Sequence, residues 1–186
     1  MANTPSNMLP LGTLAPTFNL TDTVTDKNLR LQDVKGTKGT VVMFICNHCP
    51  FVKHVNPEIS RLGQEYQKKG FGFVAISSND VENYPQDGPD LMKETAKQEG
   101  YSFPYLYDKT QETAKAYDAA CTPDFYLFDS SLRLVYRGQL DDSRPGNGIA
   151  VTGNDLRNAM DALLEGKEVD TFQKPSIGCN IKWANT

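Results

Sequence analysis

Apolar residues recur along the chain with two different periods, and the changes between them mark its elements. An alternating hairpin opens the pattern, with segments at 17–20 and 29–31 around a polar turn at 21–27. A loop at 36–39 follows, then Val41-Val42-Met43-Phe44-Ile45, apolar throughout and rich in β-branching, which reads as a buried central strand. From Pro50 to Lys69 the period becomes helical, with Phe51, Val55, Ile59, Leu62 and Tyr66 at three- and four-residue steps and Gly70 as the stop. A second buried strand is predicted over 71–77, then a turn-rich loop over 79–89 and a helix over 91–99 closed by Gly100.

A short strand at 103–106 and a short helix at 112–119 come next. Strands at 125–129 and 132–137, joined through Ser130-Ser131, form an antiparallel hairpin. A long loop at 139–152 precedes an amphipathic helix at 154–165, which carries Leu156, Met160, Leu163 and Leu164 and ends at Gly166. The last twenty residues show little periodicity but hold Ile177, Cys179, Ile181 and the only tryptophan, Trp183, so the tail is expected to dock on the body. Alternating strands and helices followed by an antiparallel hairpin imply an α/β protein with a mixed central sheet and helices on both faces. The domain is expected over 8–168, with 169–186 as a C-terminal extension docked on it.

Composition narrows the function. The 186 residues carry a net charge of -4, which offers nucleic acid no basic footprint. No apolar run reaches the roughly 20 residues that span a membrane. The first residues lack the charged start and apolar core of a secretory signal, so a cytoplasmic location is expected. Four cysteines are too few for a disulfide scaffold, which directs attention to catalysis, metal binding or simple burial.

Cys46-Asn47-His48-Cys49-Pro50 concentrates the candidate chemistry. This C-x-x-C closes the central strand and opens the first long helix. Pro50 fits the first helical position, where a missing N–H costs nothing. Cys49 then stands at the helix N-terminus, where free N–H groups and the helix dipole stabilise a thiolate. Cys46, at the end of a buried strand, is expected to be less exposed and less acidic. It is either a resolving thiol, given Cα atoms within about 7 Å, or a small buried residue. Cys46, His48 and Cys49 are also soft ligands in one turn, but a structural zinc site needs a fourth, and no second C-x-x-C or H-x-x-x-H follows; no metal is expected. His48 either tunes the thiolate or lies on the surface, and His54 receives no role.

The order of elements and the residues around Cys49 resemble the thioredoxin-fold superfamily. The resemblance is greatest to its redoxin branch, over about residues 10–166. That branch holds the membrane-tethered thiol reductases of cytochrome maturation and the alkyl hydroperoxide reductase/thiol-specific antioxidant proteins. The thiol-reductase pattern F-W-A-x-W-C-x-x-C-[KR]-x-x-x-P-x-[IL] aligns with Phe44, Lys53, Pro57 and Ile59 only when Cys49 takes the place of the first cysteine. Val52 then stands where the second belongs, and Cys46 lies three residues upstream.

The resemblance implies a thioredoxin-like three-layer α/β/α sandwich, with the N-terminal β-hairpin as an extension. It also implies a cis-proline at Thr122-Pro123, facing the nucleophile and leaving the preceding backbone free to pair with an extended substrate. His48 is similar to the aromatic residue that the family carries before its nucleophile. Cys121 is a second candidate partner or a buried structural thiol. Cys179 resembles, loosely, the C-terminal resolving cysteine of two-cysteine peroxiredoxins, or is an idle anchor. Arg144, in the long loop, either reaches the thiolate or is solvated.

The expected function is thiol–disulfide exchange, with Cys49 attacking and Cys46 first in line to resolve. No cofactor is needed beyond the redox-active cysteines. Partners are a protein or small-molecule disulfide, or a peroxide, and a thiol reductant. One alternative is a peroxiredoxin-like peroxidase in which Cys49 becomes a sulfenic acid. Against it, the P-x-x-x-[ST]-x-x-C pattern finds Val42 and Cys46 at its proline and hydroxyl positions. The other alternative is a non-enzymatic thiol- or metal-binding module.

Overall fold

Thr40, Val41, Val42, Met43, Phe44 and Ile45 are all buried, as a strand covered on both faces requires. In the computed structural model, which describes residues 3–185, they centre the larger of two sheets. The strands in chain order are β1 (Asn3–Pro5), β2 (Asn19–Asp22), β3 (Asn28–Arg30), β4 (Gly39–Phe44), β5 (Phe71–Ser77), β6 (Tyr105–Tyr107), β7 (Cys121–Thr122), β8 (Asp124–Asp129), β9 (Leu134–Gly138) and β10 (Ile177–Asn180). The helices are α1 (Leu31–Val34), α2 (Pro50–Gln67), α3 (Pro89–Glu99), α4 (Glu112–Ala116) and α5 (Asn154–Leu164), and Pro85–Asp87 adds one 3₁₀ turn.

The seven-stranded sheet runs β3-β2-β6-β5-β4-β8-β9. β4 pairs in parallel with β5 and antiparallel with β8, so the sheet is mixed, as expected. The N-terminal hairpin forms and extends the sheet through β2–β6. Alternate residues of β4 serve different cores. Val41, Met43 and Ile45 pack with α2, α3 and α5, whereas Val42 and Phe44 face Leu31, Ala114 and Tyr117 on the other side. This is the three-layer sandwich.

A second sheet carries the ends of the chain. Its order is β1-β10-β7, antiparallel throughout, with Cys179 opposite Thr122 on one side and Asn3 on the other. The tail thus enters the fold as a strand between two others, although its sequence has no strand period. Ile181 is buried to 1% exposure and its N–H donates to the Ala120 carbonyl. Burial of a side chain of that size contributes about 1.5–3 kcal/mol. Trp183 stays 42% exposed, so Ile181 and Cys179 dock the tail rather than the tryptophan. Among the described residues, no helix is long and apolar enough to cross a membrane.

Candidate functional site

β4 ends beside α2, and the turn between them carries the C-x-x-C. Cys49 has extended backbone angles (φ -65°, ψ 124°), and Pro50 begins α2, as the sequence predicts. The Cys49 carbonyl accepts from the N–H groups of Val52 and Lys53, which closes the first turn. The Thr122-Pro123 bond is cis. It brings the Thr122 carbonyl within 3.4 Å of the Cys49 Sγ and the Thr122 hydroxyl within 3.6 Å of the Cys46 Sγ.

Cys49 and Cys179 approach most closely, with Sγ atoms 2.8 Å apart. The antiparallel pairing of β10 with β7 creates this contact, because it sets Cys179 opposite the residue that precedes the cis-proline. Gly178 is required beside it. A Cβ there would come within 1.9 Å of the Thr122 carbonyl oxygen.

The four cysteines remain thiols and all are buried. Cys49 was expected to be the more open of the C-x-x-C pair; its exposure is instead 0%, against 1% for Cys46. The C-terminal strand sets Cys179 against it.

The environment separates the thiols by acidity. The Cys46 thiol, donating a hydrogen bond, is the largest influence holding Cys49 well below the ordinary thiol range, and it outweighs the opposing effect of burial. Hydrogen bonds from Cys179, Thr122 and the Val52 N–H act in the same direction. Donation to Cys49 pushes Cys46 well up, with burial and the charge of Asp87 adding to the effect. Burial, then the hydrogen bond to Cys49, raises Cys179. Burial likewise raises Cys121, whose Sγ lies 3.8 Å from the Pro123 carbonyl. Cys49 is therefore the more acidic of the two sulfurs, and Cys46 the less acidic thiol that its place at the strand end implied.

Asp87 organises the turn and carries no sequence signal beyond its place in a polar loop. It is fully buried, and its Oδ1 accepts from the backbone N–H groups of Asn47 at 2.9 Å and His48 at 3.2 Å. Its Oδ2 accepts from Asn79 Nδ2 at 2.9 Å and lies 2.5 Å from His48 Nδ1. A carboxylate can only accept, so it is Nδ1 that carries a proton toward Asp87. His48 is neither a free surface residue nor a direct partner of Cys49. Its Nδ1 is 4.0 Å from the Cys46 Sγ, and its ring stacks on Tyr84.

Cys46, His48 and Asp87 are the one cluster of metal-ligating types among the described residues. Their geometry is that of a hydrogen-bonded network. His48 Nδ1 lies 2.5 Å from the Asp87 carboxylate, which has four donors in all. Arg144 donates to the carbonyls of Asp141 and Ser143 and to Gln139 Oε1. His54 bonds with Ser143.

Known proteins resemble this chain in sequence and in fold. The chain is 26% identical over 129 residues to the thiol-disulfide oxidoreductase ResA of Geobacillus thermodenitrificans, covering 69% of this chain and 68% of that one. An uncharacterized conserved protein from Geobacillus kaustophilus superposes with a TM-score of 0.98 at 62% identity, over 100% of this chain and 98% of that chain. A hypothetical protein from Sinorhizobium meliloti gives a TM-score of 0.96 at 48% identity, over 98% and 100%. At 20% identity, a putative thiol:disulfide interchange protein DsbE from Chlorobium tepidum shares the fold, with a TM-score of 0.65 over 84% of this chain and 99% of its own. Residues 11–137 match the AhpC/TSA family, and with the cis-proline set against a helix-start cysteine they identify the chain as a thioredoxin-fold redoxin, an oxidoreductase of the AhpC/TSA family.

Proposed function

We propose that the protein is a thiol–disulfide oxidoreductase in which Cys49 attacks and Cys179 resolves. The 2.8 Å contact between the two sulfurs carries this reading, and it favours Cys179 over Cys46 as the resolving thiol. Cys46 is instead the largest influence lowering the pKa of Cys49.

The exchange balances as follows. The Cys49 thiolate attacks one sulfur of a substrate disulfide, forms a mixed disulfide and expels the other sulfur as a thiolate. Cys179 gives its proton to that departing thiolate. The Cys179 sulfur then attacks Cys49 Sγ, breaks the mixed disulfide and releases the second substrate thiolate. Two electrons reach the substrate, and the protein holds a Cys49–Cys179 disulfide. An external thiol reductant returns it to the dithiol. Because Cys49 is sealed, β10 must lift before substrate enters and return before Cys179 attacks.

Reaction with a model disulfide, followed by mass-spectrometric mapping of linked cysteines, tests the reading. Cys179→Ser is expected to accumulate the mixed disulfide at Cys49, whereas Cys46→Ser still proceeds to the Cys49–Cys179 bond. Accumulation in Cys46→Ser with normal turnover in Cys179→Ser reverses the two roles. A parallel reaction with substoichiometric peroxide separates the peroxidase alternative, which requires sulfenic acid at Cys49 to form faster than disulfide exchange.

A further inference from the structure

Asn79 lies two residues beyond the end of β5 and is 4% exposed, among residues that neither touch sulfur nor belong to a motif. Its two amide atoms point in opposite functional directions. Nδ2 donates to Asp87 Oδ2 at 2.9 Å, and Asp87 in turn holds the N–H groups of Asn47 and His48. Oδ1 accepts from the Lys182 N–H at 2.9 Å, on the segment just beyond β10. The orientation of the amide follows from its partners, because Asp87 can only accept and a backbone N–H can only donate.

One side chain therefore joins the turn that carries Cys49 to the segment that carries Cys179. We propose that Asn79 is a positioning residue that holds Cys179 at reacting distance from Cys49 by bonding the tail and the C-x-x-C turn at once.

The neighbours of the tail support the assignment. Gln111 Nε2 donates to the Lys182 carbonyl at 2.9 Å and to the Ser78 carbonyl at 2.7 Å, and its Oε1 accepts from the Ala184 N–H at 2.9 Å. Gln111 thus ties the tail to the end of β5 but not to the cysteine turn. Only the Asn79 link passes through Asp87 to residues 47 and 48. Asparagine suits the place because a planar amide offers one donor and one acceptor face, whereas aspartate would set a second carboxylate against Asp87 and leucine would bond to neither side.

The inference rests on the exchange between Cys49 and Cys179, so its test measures that pair directly. The full-length protein is equilibrated with mixtures of reduced and oxidised glutathione, and the Cys49–Cys179 disulfide is quantified after acid quenching. In this equilibrium two protein thiols are oxidised as one glutathione disulfide becomes two glutathione thiols, and the constant is the effective concentration of one protein thiol at the other. Asn79→Ala is expected to lower it about tenfold, the effect of losing a buried hydrogen-bond link. Lys182→Pro removes the same bond from the other end, leaves the Asn79 side chain in place and is expected to lower it similarly.

A merely structural role would destabilise the reduced and oxidised proteins equally, so urea unfolding of both forms separates the two explanations. Effective concentrations within twofold of wild type in the folded variants overturn the assignment. If the wild-type protein itself forms no Cys49–Cys179 disulfide, the exchange reading fails and the assignment fails with it.

Discussion

Cys49 Sγ and Cys179 Sγ lie 2.8 Å apart although 130 residues separate them in the chain. The contact unites the start of α2 with β10, and each supplies something different. The helix start supplies an acidic thiol. The strand supplies a second sulfur, and the first is itself buried.

The thiolate should be visible at neutral pH. Absorbance near 240 nm is expected to titrate well below the ordinary thiol value of 9.0, and Cys46→Ala is expected to raise the midpoint by about 1 on the pH scale or more. The linkage to stability follows. The folded-state pKa lies below the unfolded one, so this group contributes fully above the unfolded value, and its contribution is lost as pH falls through the folded value. Cys46→Ala should flatten that part of the stability–pH curve. An unchanged midpoint would remove Cys46 from the role of donor.

Asp124 should act with the opposite sign. Burial is the main cause raising its carboxyl from an ordinary 3.8 to about 7, despite hydrogen bonds from Ser6 and Tyr126. The folded protein then binds this proton more tightly than the unfolded chain. Stability from the group is full below the unfolded value and is lost as pH rises through about 7. The difference corresponds to on the order of 4 kcal/mol. Asp124→Asn is expected to stabilise the protein at pH above 8 relative to wild type and to change it little near pH 4, as read by urea unfolding.

Asp87→Ala should be the most damaging single change near the site that leaves every sulfur in place. It strands the N–H groups of Asn47 and His48 and the amide of Asn79, so a loss of about 3–5 kcal/mol is expected. Asp87→Asn keeps an acceptor toward the backbone and should cost less. Thermal unfolding of the two variants checks the order, and equal losses would place the effect in the charge rather than in the bonds.

Gly178→Ala should open the site. Its Cβ would lie 1.9 Å from the Thr122 carbonyl oxygen, so β10 must move off β7. Cys49 is then expected to react with iodoacetamide at least about tenfold faster than in wild type, consistent with the local opening of an otherwise folded protein. A rate equal to wild type would show that β10 is not the cover.

Local chemistry made much of this legible in advance. The apolar, β-branched run before Cys46 read as a buried central strand, and Pro50 after Cys49 marked the helix start. The likeness around Thr122-Pro123 pointed to the cis bond. Asp87 and Asn79 stayed hidden because each acts through one buried side chain bonded to distant backbone, which imposes no period on a sequence. The short strands β1, β7 and β10 were missed for the same reason. Each is two to four residues long, too short to alternate visibly.

The sequence by itself determined the strand–turn–helix around Cys49, because those preferences are properties of neighbouring residues. It also determined the alternating sheet and its two covered faces. Only the tertiary structure decided which cysteine stands against Cys49. That choice depends on pairing Cys179 with Thr122 and on a glycine that lets the two strands approach, and such register is set by contacts between segments far apart in the chain. The same packing decided that Cys49 is covered, since burial belongs to the assembled layers rather than to any segment alone.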